Sequence, residues 1–314
     1  MRCGVWLFPS ASAGELVAAA VLAESLGLDE FWLGDEGPAR EPFAVLAGAA
    51  GATSRITLAI GITNPYVRLP ALTATTALTI AELAGGPERV ILGMGAGGSL
   101  SLDPFGLVGP HPLASVRQAL ATIRSVCAGE ASIGYQPVEH AMHGHLRLYV
   151  GARGERLNRL ASAEADGAFV AGLPPFHYDQ VLSWCRSVRP IDVALYPSVA
   201  FTPADVERSR PQMLWAVANA PAEVQRALGV EQDELAVATA ALTSGNEKPA
   251  AAVMNDERLS QVMLIGEPTT VGRRLAELVR RHRPNAIGLA LLQQDLASAV
   301  ASAAAAFETM RREL

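Results

Sequence analysis

Short apolar runs recur along the chain and alternate with longer, Ala- and Leu-rich segments of helical period. The strand-like runs occupy residues 3–8, 29–34, 56–62, 89–95, 145–151, 166–172, 191–197 and 285–292. Amphipathic patterns fill 14–27, 42–52, 70–84, 113–128, 155–164, 176–188, 268–283 and 295–312. The runs show little polar alternation, which predicts parallel strands covered by helices on both faces. An open doubly wound sheet would share this periodicity, but eight such units in 314 residues fit a (β/α)8 TIM barrel. The expected fold is therefore α/β, an eight-stranded parallel barrel forming one domain over 1–314. Three segments break the rhythm and read as insertions, at 99–112, 129–144 and 197–265. The last carries helical pattern of its own at 203–217 and 221–228.

Composition narrows the chemistry. Half of the residues are hydrophobic and 18% are charged, as in a well-buried α/β enzyme. The formal net charge of -6 excludes the basic face that nucleic acid requires. Lys248 is the single lysine among 25 basic residues, so any grip on an anion falls to arginine or backbone N–H groups. Cys3, Cys127 and Cys185 are odd in number and far apart, which predicts neither a disulfide framework nor a metal site. The stretch MRCGVWLFPS lacks the charged lead and apolar run of a signal peptide. No segment approaches the ~18 apolar residues of a membrane span. The expectation is a cytoplasmic protein with no membrane partner.

The stretch VILGMGAGG (90–98) matches the G-x-G-x-x-G spacing of a dinucleotide-binding turn. Its surroundings do not fit one. Three strand–helix pairs precede it, Pro104, Pro110 and Pro112 argue against an immediate helix, and no acidic residue ends a following strand. The glycines read instead as backbone left bare at the mouth of the fourth strand, where something flat or bulky approaches. Other strand ends converge there in a barrel. Asp35 and Glu36 follow the second strand, and 62–70 follows the third. Gly151, Ala152, Arg153 and Gly154 open a helix after the fifth. A Gly-rich strand-to-helix turn of that kind offers free N–H groups and a helix dipole to a phosphate; a plain tight turn is the alternative.

GVWLFPS, LAESLGLDEFWLGDE, VILGMGAGG, LYVGARGERLNRLASAEADGAFV, VMLIGEPTTVGRRLAEL and above all GITNPYVRLPALTA (61–74) resemble the luciferase-like flavin and deazaflavin superfamily. Within it they are most similar to the methylenetetrahydromethanopterin reductase branch, whose cofactor is coenzyme F-420 (F420, an 8-hydroxy-5-deazaflavin). The resemblance implies a TIM barrel and hydride transfer between F420 and a small-molecule substrate. It also implies a homo-oligomeric state, a dimer. It places a non-prolyl cis peptide at a bulge between Gly61 and Ile62, behind the ring. Thr63 and Asn64 would lie along the ring edge, with Met94, Gly95, Ala96 and Gly97 beneath another part. Gly151, Ala152, Arg153, Gly154, Ala171 and Gly172 would hold the phosphate and tail.

Departures temper the substrate. Relatives carry Asp-His where this chain has Asp35-Glu36, which makes Glu36 the first candidate for the proton partner and Asp35 the second. The reductase's acidic residues in strand one and after the strand-four glycines correspond to Trp6 and Gly98. Trp6 reads either as an apolar wall of the substrate pocket or as packing inside the barrel. Two other readings stand beside F420 chemistry: an FMN-dependent monooxygenase, and a deazaflavin- or flavin-binding protein without catalysis.

Overall fold

The computed structural model describes residues 1–130 and 144–314; within the insertion expected at 129–144, positions 131–143 lie outside the described residues. The first half runs β1 (Arg2–Leu7), α1 (Ala13–Ser25), β2 (Glu30–Leu33), α2 (Pro42–Ala52), β3 (Thr57–Thr63), α3 (Pro70–Ala84) and β4 (Val90–Met94). Then come α4 (Ser99–Leu102), α5 (Pro112–Cys127), β5 (Arg147–Gly151), α6 (Glu155–Glu164), β6 (Gly167–Ala171), α7 (Tyr178–Cys185) and β7 (Asp192–Tyr196). The insertion holds β8 (Ser198–Ala200), α8 (Pro203–Ala218), α9 (Ala222–Ala227), α10 (Gln232–Thr243), α11 (Lys248–Val253), α12 (Asp256–Val262) and β9 (Met263–Ile265). The chain ends with α13 (Pro268–His282), β10 (Ala286–Leu291) and α14 (Leu296–Glu313).

Strands β1 to β7 pair in order, β7 pairs with β10, and β10 pairs back onto β1, so the parallel sheet closes into a barrel. All eight expected strands are present. Pro197 lacks an N–H and separates β7 from β8, which continues along β10 through Ala290↔Ser198 and Leu291↔Val199. β9 then pairs with β8 outside the barrel. The sequence pattern does not predict β9, α10, α11 or α12; β9, α11 and α12 are short, and no turn residue separates α12 from β9. A single helical turn also begins at Ser99, directly after the glycine stretch, where the prolines predicted none; Pro104 confines it to four residues.

Helix ends follow their sequence signals. Ser12 and Glu15 form a capping box on α1, and Thr202 and Asp205 form one on α8. Pro70 opens α3, and Gly85, at φ 89°, closes it. The main hydrophobic core lies between the outward strand residues and the helix ring, while a second cluster fills the lumen around Trp32, Tyr149, Phe169 and Tyr196. No helix among the described residues is long and apolar enough to cross a membrane.

One tie fastens helix to barrel through a carboxylate. Glu24, near the end of α1, accepts backbone N–H bonds from Ser54 (3.0 Å), Arg55 (2.6 Å) and Ile56 (2.8 Å) at the entrance to β3. Burial alone would raise its pKa, but the N–H donors of Ile56, Arg55 and Ser54 outweigh it and hold the group at about 2. Since the folded value lies below the ordinary one, this stabilisation is full above about pH 4.5 and fades as pH falls toward 2. We expect Glu24→Gln to lose roughly 1–3 kcal/mol at neutral pH. Denaturant titrations across pH should show the gap between variant and wild type closing as acid is added.

Candidate active site

The mouth is shaped first by how the lumen ends. Beyond Trp32, whose ring stacks on Phe169 at 4.4 Å, the next inward positions belong to Trp6 and Ile62. The indole N–H of Trp6 donates to the Gly61 carbonyl, and its ring packs over Gly34 and Gly61. Trp6, part-buried at this level, thus fixes the backbone of β3. The Gly61–Ile62 peptide is cis, as the resemblance implied, and the ladder shifts register there: Ile60↔Leu92 is followed by Thr63↔Met94. The Ile62 side chain turns into the barrel, where it lies against Gly93, Gly95 and Gly151. The room beside these glycines is taken by Ile62 from the same chain. Gly97, at φ 71°, faces Asn64 and Leu102.

Thr63 and Asn64 follow the bulge and are buried. The Asn64 amide is oriented by two bonds at 3.1 Å, from the N–H groups of Tyr66 and Val67 to Oδ1. Its Nδ2 is therefore a donor, and among the described residues it has no partner. Thr63 Oγ1 has no partner within hydrogen-bond distance, although its hydroxyl faces the Asp35 carboxylate, while the Thr63 carbonyl accepts from Gly95 N–H at 2.8 Å. Buried polar atoms are nearly always satisfied in a folded protein, so the unpartnered Asn64 Nδ2 is a donor free to meet a ligand.

Beside them, after the neighbouring strand β2, stand Asp35 and Glu36, both half-buried. Burial raises the Asp35 carboxyl, opposed by the Thr63 hydroxyl and Arg68 and reinforced by Glu41. Burial likewise raises Glu36, opposed by Arg153 and reinforced by Asp35. Arg153 is lowered by burial and partly restored by Glu36. Its guanidinium packs over Gly172, at φ 64°, where a Cβ would lie 2.8 Å from Nη2. Asp35, Glu36 and Arg153 are in no salt bridge among the described residues. The β2 loop, the β5 turn and the end of β6 thus bring their charges to one place without cancelling them.

The turn 151–154 leads into α6 with Gly154 as N-cap, no side-chain cap, and open space where a Cβ would stand. It is held from below by Asn158, a fully buried residue that sequence reasoning missed. Asn158 Nδ2 donates to the carbonyls of Ala152 (3.2 Å) and Gly154 (2.9 Å), and its Oδ1 accepts from Cys185 Sγ at 3.3 Å. Its carbonyls engaged, the turn leaves the first N–H groups of α6 uncapped, as an anion seat requires. The Met94 side chain lies in the core between barrel and helices, and Ala152 packs on its margin; Ala171 borders the lumen cluster. Among the described residues no group of three or more His, Cys, Asp or Glu is placed to hold a metal ion.

A family model for luciferase-like monooxygenase matches residues 1–283. A 5,10-methylenetetrahydromethanopterin reductase of Archaeoglobus fulgidus is 28% identical over 312 residues, covering 88% of this chain and 90% of the relative. An F420-dependent glucose-6-phosphate dehydrogenase of Beutenbergia cavernae is 32% identical over 175 residues, 49% of this chain and 51% of its own length. Among solved structures, the coenzyme F420-dependent tetrahydromethanopterin reductase from Methanopyrus kandleri matches with a TM-score of 0.81 at 23% identity, covering 100% of this chain and 99% of that one.

The Ile62 plug makes a steric prediction. A Cβ on Gly95 would overlap Ile62 Cδ1 and stand 2.9 Å from the Gly151 carbonyl oxygen. Gly95→Ala should destabilise by about 1–3 kcal/mol. Adding Ile62→Ala should recover part of that loss, read as a positive coupling in a double-mutant cycle by chemical denaturation.

Proposed function

Because this chain belongs to the luciferase-like monooxygenase family, we propose that it is an F420-dependent oxidoreductase transferring hydride between the deazaflavin and a small organic substrate. The reading treats 1–314 as one functional domain. The observation that carries it is the unpartnered buried Asn64 Nδ2, set beside Thr63 at the β3 bulge, together with an uncapped helix start after β5. A ring edge with carbonyl and N–H groups satisfies the first, and a phosphate satisfies the second. The relatives whose names carry F420 support the same choice.

The residues fit the cofactor in the following way. Thr63 and Asn64 take the ring edge, with the Gly61–Ile62 bulge behind it and 95–97 alongside. The N–H groups of 151–154, with Arg153 and Gly172, take the phosphate and tail. When bound, the deazaflavin supplies a two-electron hydride carrier. The protein's share is orientation and one proton. Glu36 is the proton partner, and Asp35 is the second choice. Burial favours the neutral form of Glu36, so it can hold a proton closer to neutral pH than an exposed glutamate. Trp6 keeps the bulge carbonyl in place.

Titration of the purified protein with F420, and separately with FMN, should quench tryptophan fluorescence through tight F420 binding. Binding of FMN with none of F420 would assign the site to flavin chemistry instead. For Glu36→Gln we expect a fall of roughly 10²-fold in kcat with F420 affinity little changed. In the reducing direction Glu36 gives up its proton, so wild-type kcat should fall as pH rises through its raised pKa. The variant should lose that dependence; an unchanged pH profile in Glu36→Gln would remove Glu36 from the role.

A further inference from the structure

The roof of the mouth contains a hydrogen-bonding group that the cofactor seat does not use. Asn219 ends α8, in the insertion, and reaches the loop that follows β4. Its Nδ2 donates to the Trp215 carbonyl at 2.9 Å and lies 3.5 Å from Ser99 Oγ. The Trp215 carbonyl can only accept, so the nitrogen must face it and the other amide atom must be oxygen. That Oδ1 is turned toward Gly98, where a Cβ would lie 3.4 Å away. Among the described residues no donor reaches Oδ1, and unlike Asn64 Nδ2 it is not sealed from solvent. It is a free acceptor over bare backbone.

Its position is on the substrate side. Gly98 adjoins Gly97, which packs on Asn64 at the ring-edge site. The last turn of α8 also borders Gly172, Leu173 and Pro174 at the end of β6, beside Arg153. Asn219 therefore overhangs the space between the ends of β4 and β6, above the groups assigned to the cofactor. Helix capping does not account for it: at φ -95° and ψ 6° the residue is not left-handed, and the carbonyl its amide meets already accepts the backbone N–H of Asn219 at 3.1 Å.

We propose that Asn219 Oδ1 is a substrate-recognition acceptor, selecting small molecules that present a hydroxyl or N–H donor to the roof of the site. The inference rests on the hydride-transfer reading and names part of its substrate class. A carboxamide stays neutral at every working pH, so it adds a directional acceptor without disturbing the charges of Asp35, Glu36 and Arg153.

The test uses F420-loaded protein and two probes of closely matched size, cyclohexanol and methylcyclohexane, of which only the first has a donor. Dissociation constants come from intrinsic tryptophan fluorescence, since Trp215 lies one turn before Asn219. The wild type should favour cyclohexanol by about fivefold or more. Asn219→Leu should abolish the preference while leaving F420 affinity intact. Asn219→Asp keeps an acceptor but cannot donate to the Trp215 carbonyl, so it should retain the preference while melting at lower temperature. A wild type without preference, a preference that survives in Asn219→Leu, or its equal loss in both variants overturns the inference. A chain that does not load F420 overturns the hydride-transfer reading as well, whereas loading without discrimination overturns this inference alone.

Discussion

A closed barrel of parallel strands traps every side chain that points inward, and that lumen has to be filled without voids or clashes. Here four aromatic rings do most of the filling. Trp32 touches Tyr149, Phe169 and Tyr196 at centroid distances of 5.8, 4.4 and 5.7 Å. Rings of that size fit only where facing positions carry no Cβ: Gly288 and Gly4 lie against Tyr196, and Gly167 lies against Tyr149. Toward the mouth, Trp6 and Ile62 continue the same scheme against Gly34, Gly61, Gly93, Gly95 and Gly151. The lumen is thus closed from below, and a ligand must lie above Ile62, among the strand ends. Packing decides where the site is before any polar group is considered.

Polar groups at the two ends of the barrel are treated differently. At the lower end Glu30 is completely buried yet fully engaged, accepting from Arg2 Nε at 2.6 Å and from Trp32 Nε1 and Tyr196 Oη at 2.8 Å each. Arg2 in turn meets Asp192 at 2.6 Å. That hub joins β1, β2 and β7 and leaves little charge uncompensated, which is how a buried ion is tolerated. At the upper end Asp35, Glu36 and Arg153 are drawn together with no such matching, beside Thr63 and Asn64 groups that have no partner. The matching is not complete below, where Asp192 Oδ1 has no partner, so what sets the upper end apart is the group of uncancelled charges gathered there.

The sequence announces whatever depends on local pattern. Continuous apolar runs disclose strands buried on both faces, and Ser12, Pro70, Gly85 and Thr202 mark helix ends because capping is decided within one turn. GITNPYVRLPALTA is legible because the bulge, the Asn64 turn and the start of α3 follow one another without a gap. What stays hidden involves partners far apart in the chain. Gly93 and Gly95 disclose that something needs room, but not that Ile62 takes it. Asn158 under its turn and Asn219 over Gly98 look like ordinary helical asparagines until the fold brings their neighbours in.

This division also separates what holds the cofactor from what meets the substrate. The residues proposed to hold the cofactor sit on strand ends whose positions follow from the lumen packing: Thr63 is locked to Gly95, and Arg153 follows a strand that lies on Ile62. They inherit the rigidity of the barrel, which orienting a hydride carrier demands. The roof is built from the β2 loop, the β4 loop and the insertion, and its joints are looser. Gly37 touches the Leu100 backbone, and Asn219 reaches Ser99 only at 3.5 Å, near the limit of a hydrogen bond. The rest of α8 is anchored in the core through Met213, Leu214 and Val217, so only this outer contact is weak. No lumen residue depends on Asn219 for its place, so side chains at the roof can vary without disturbing the barrel.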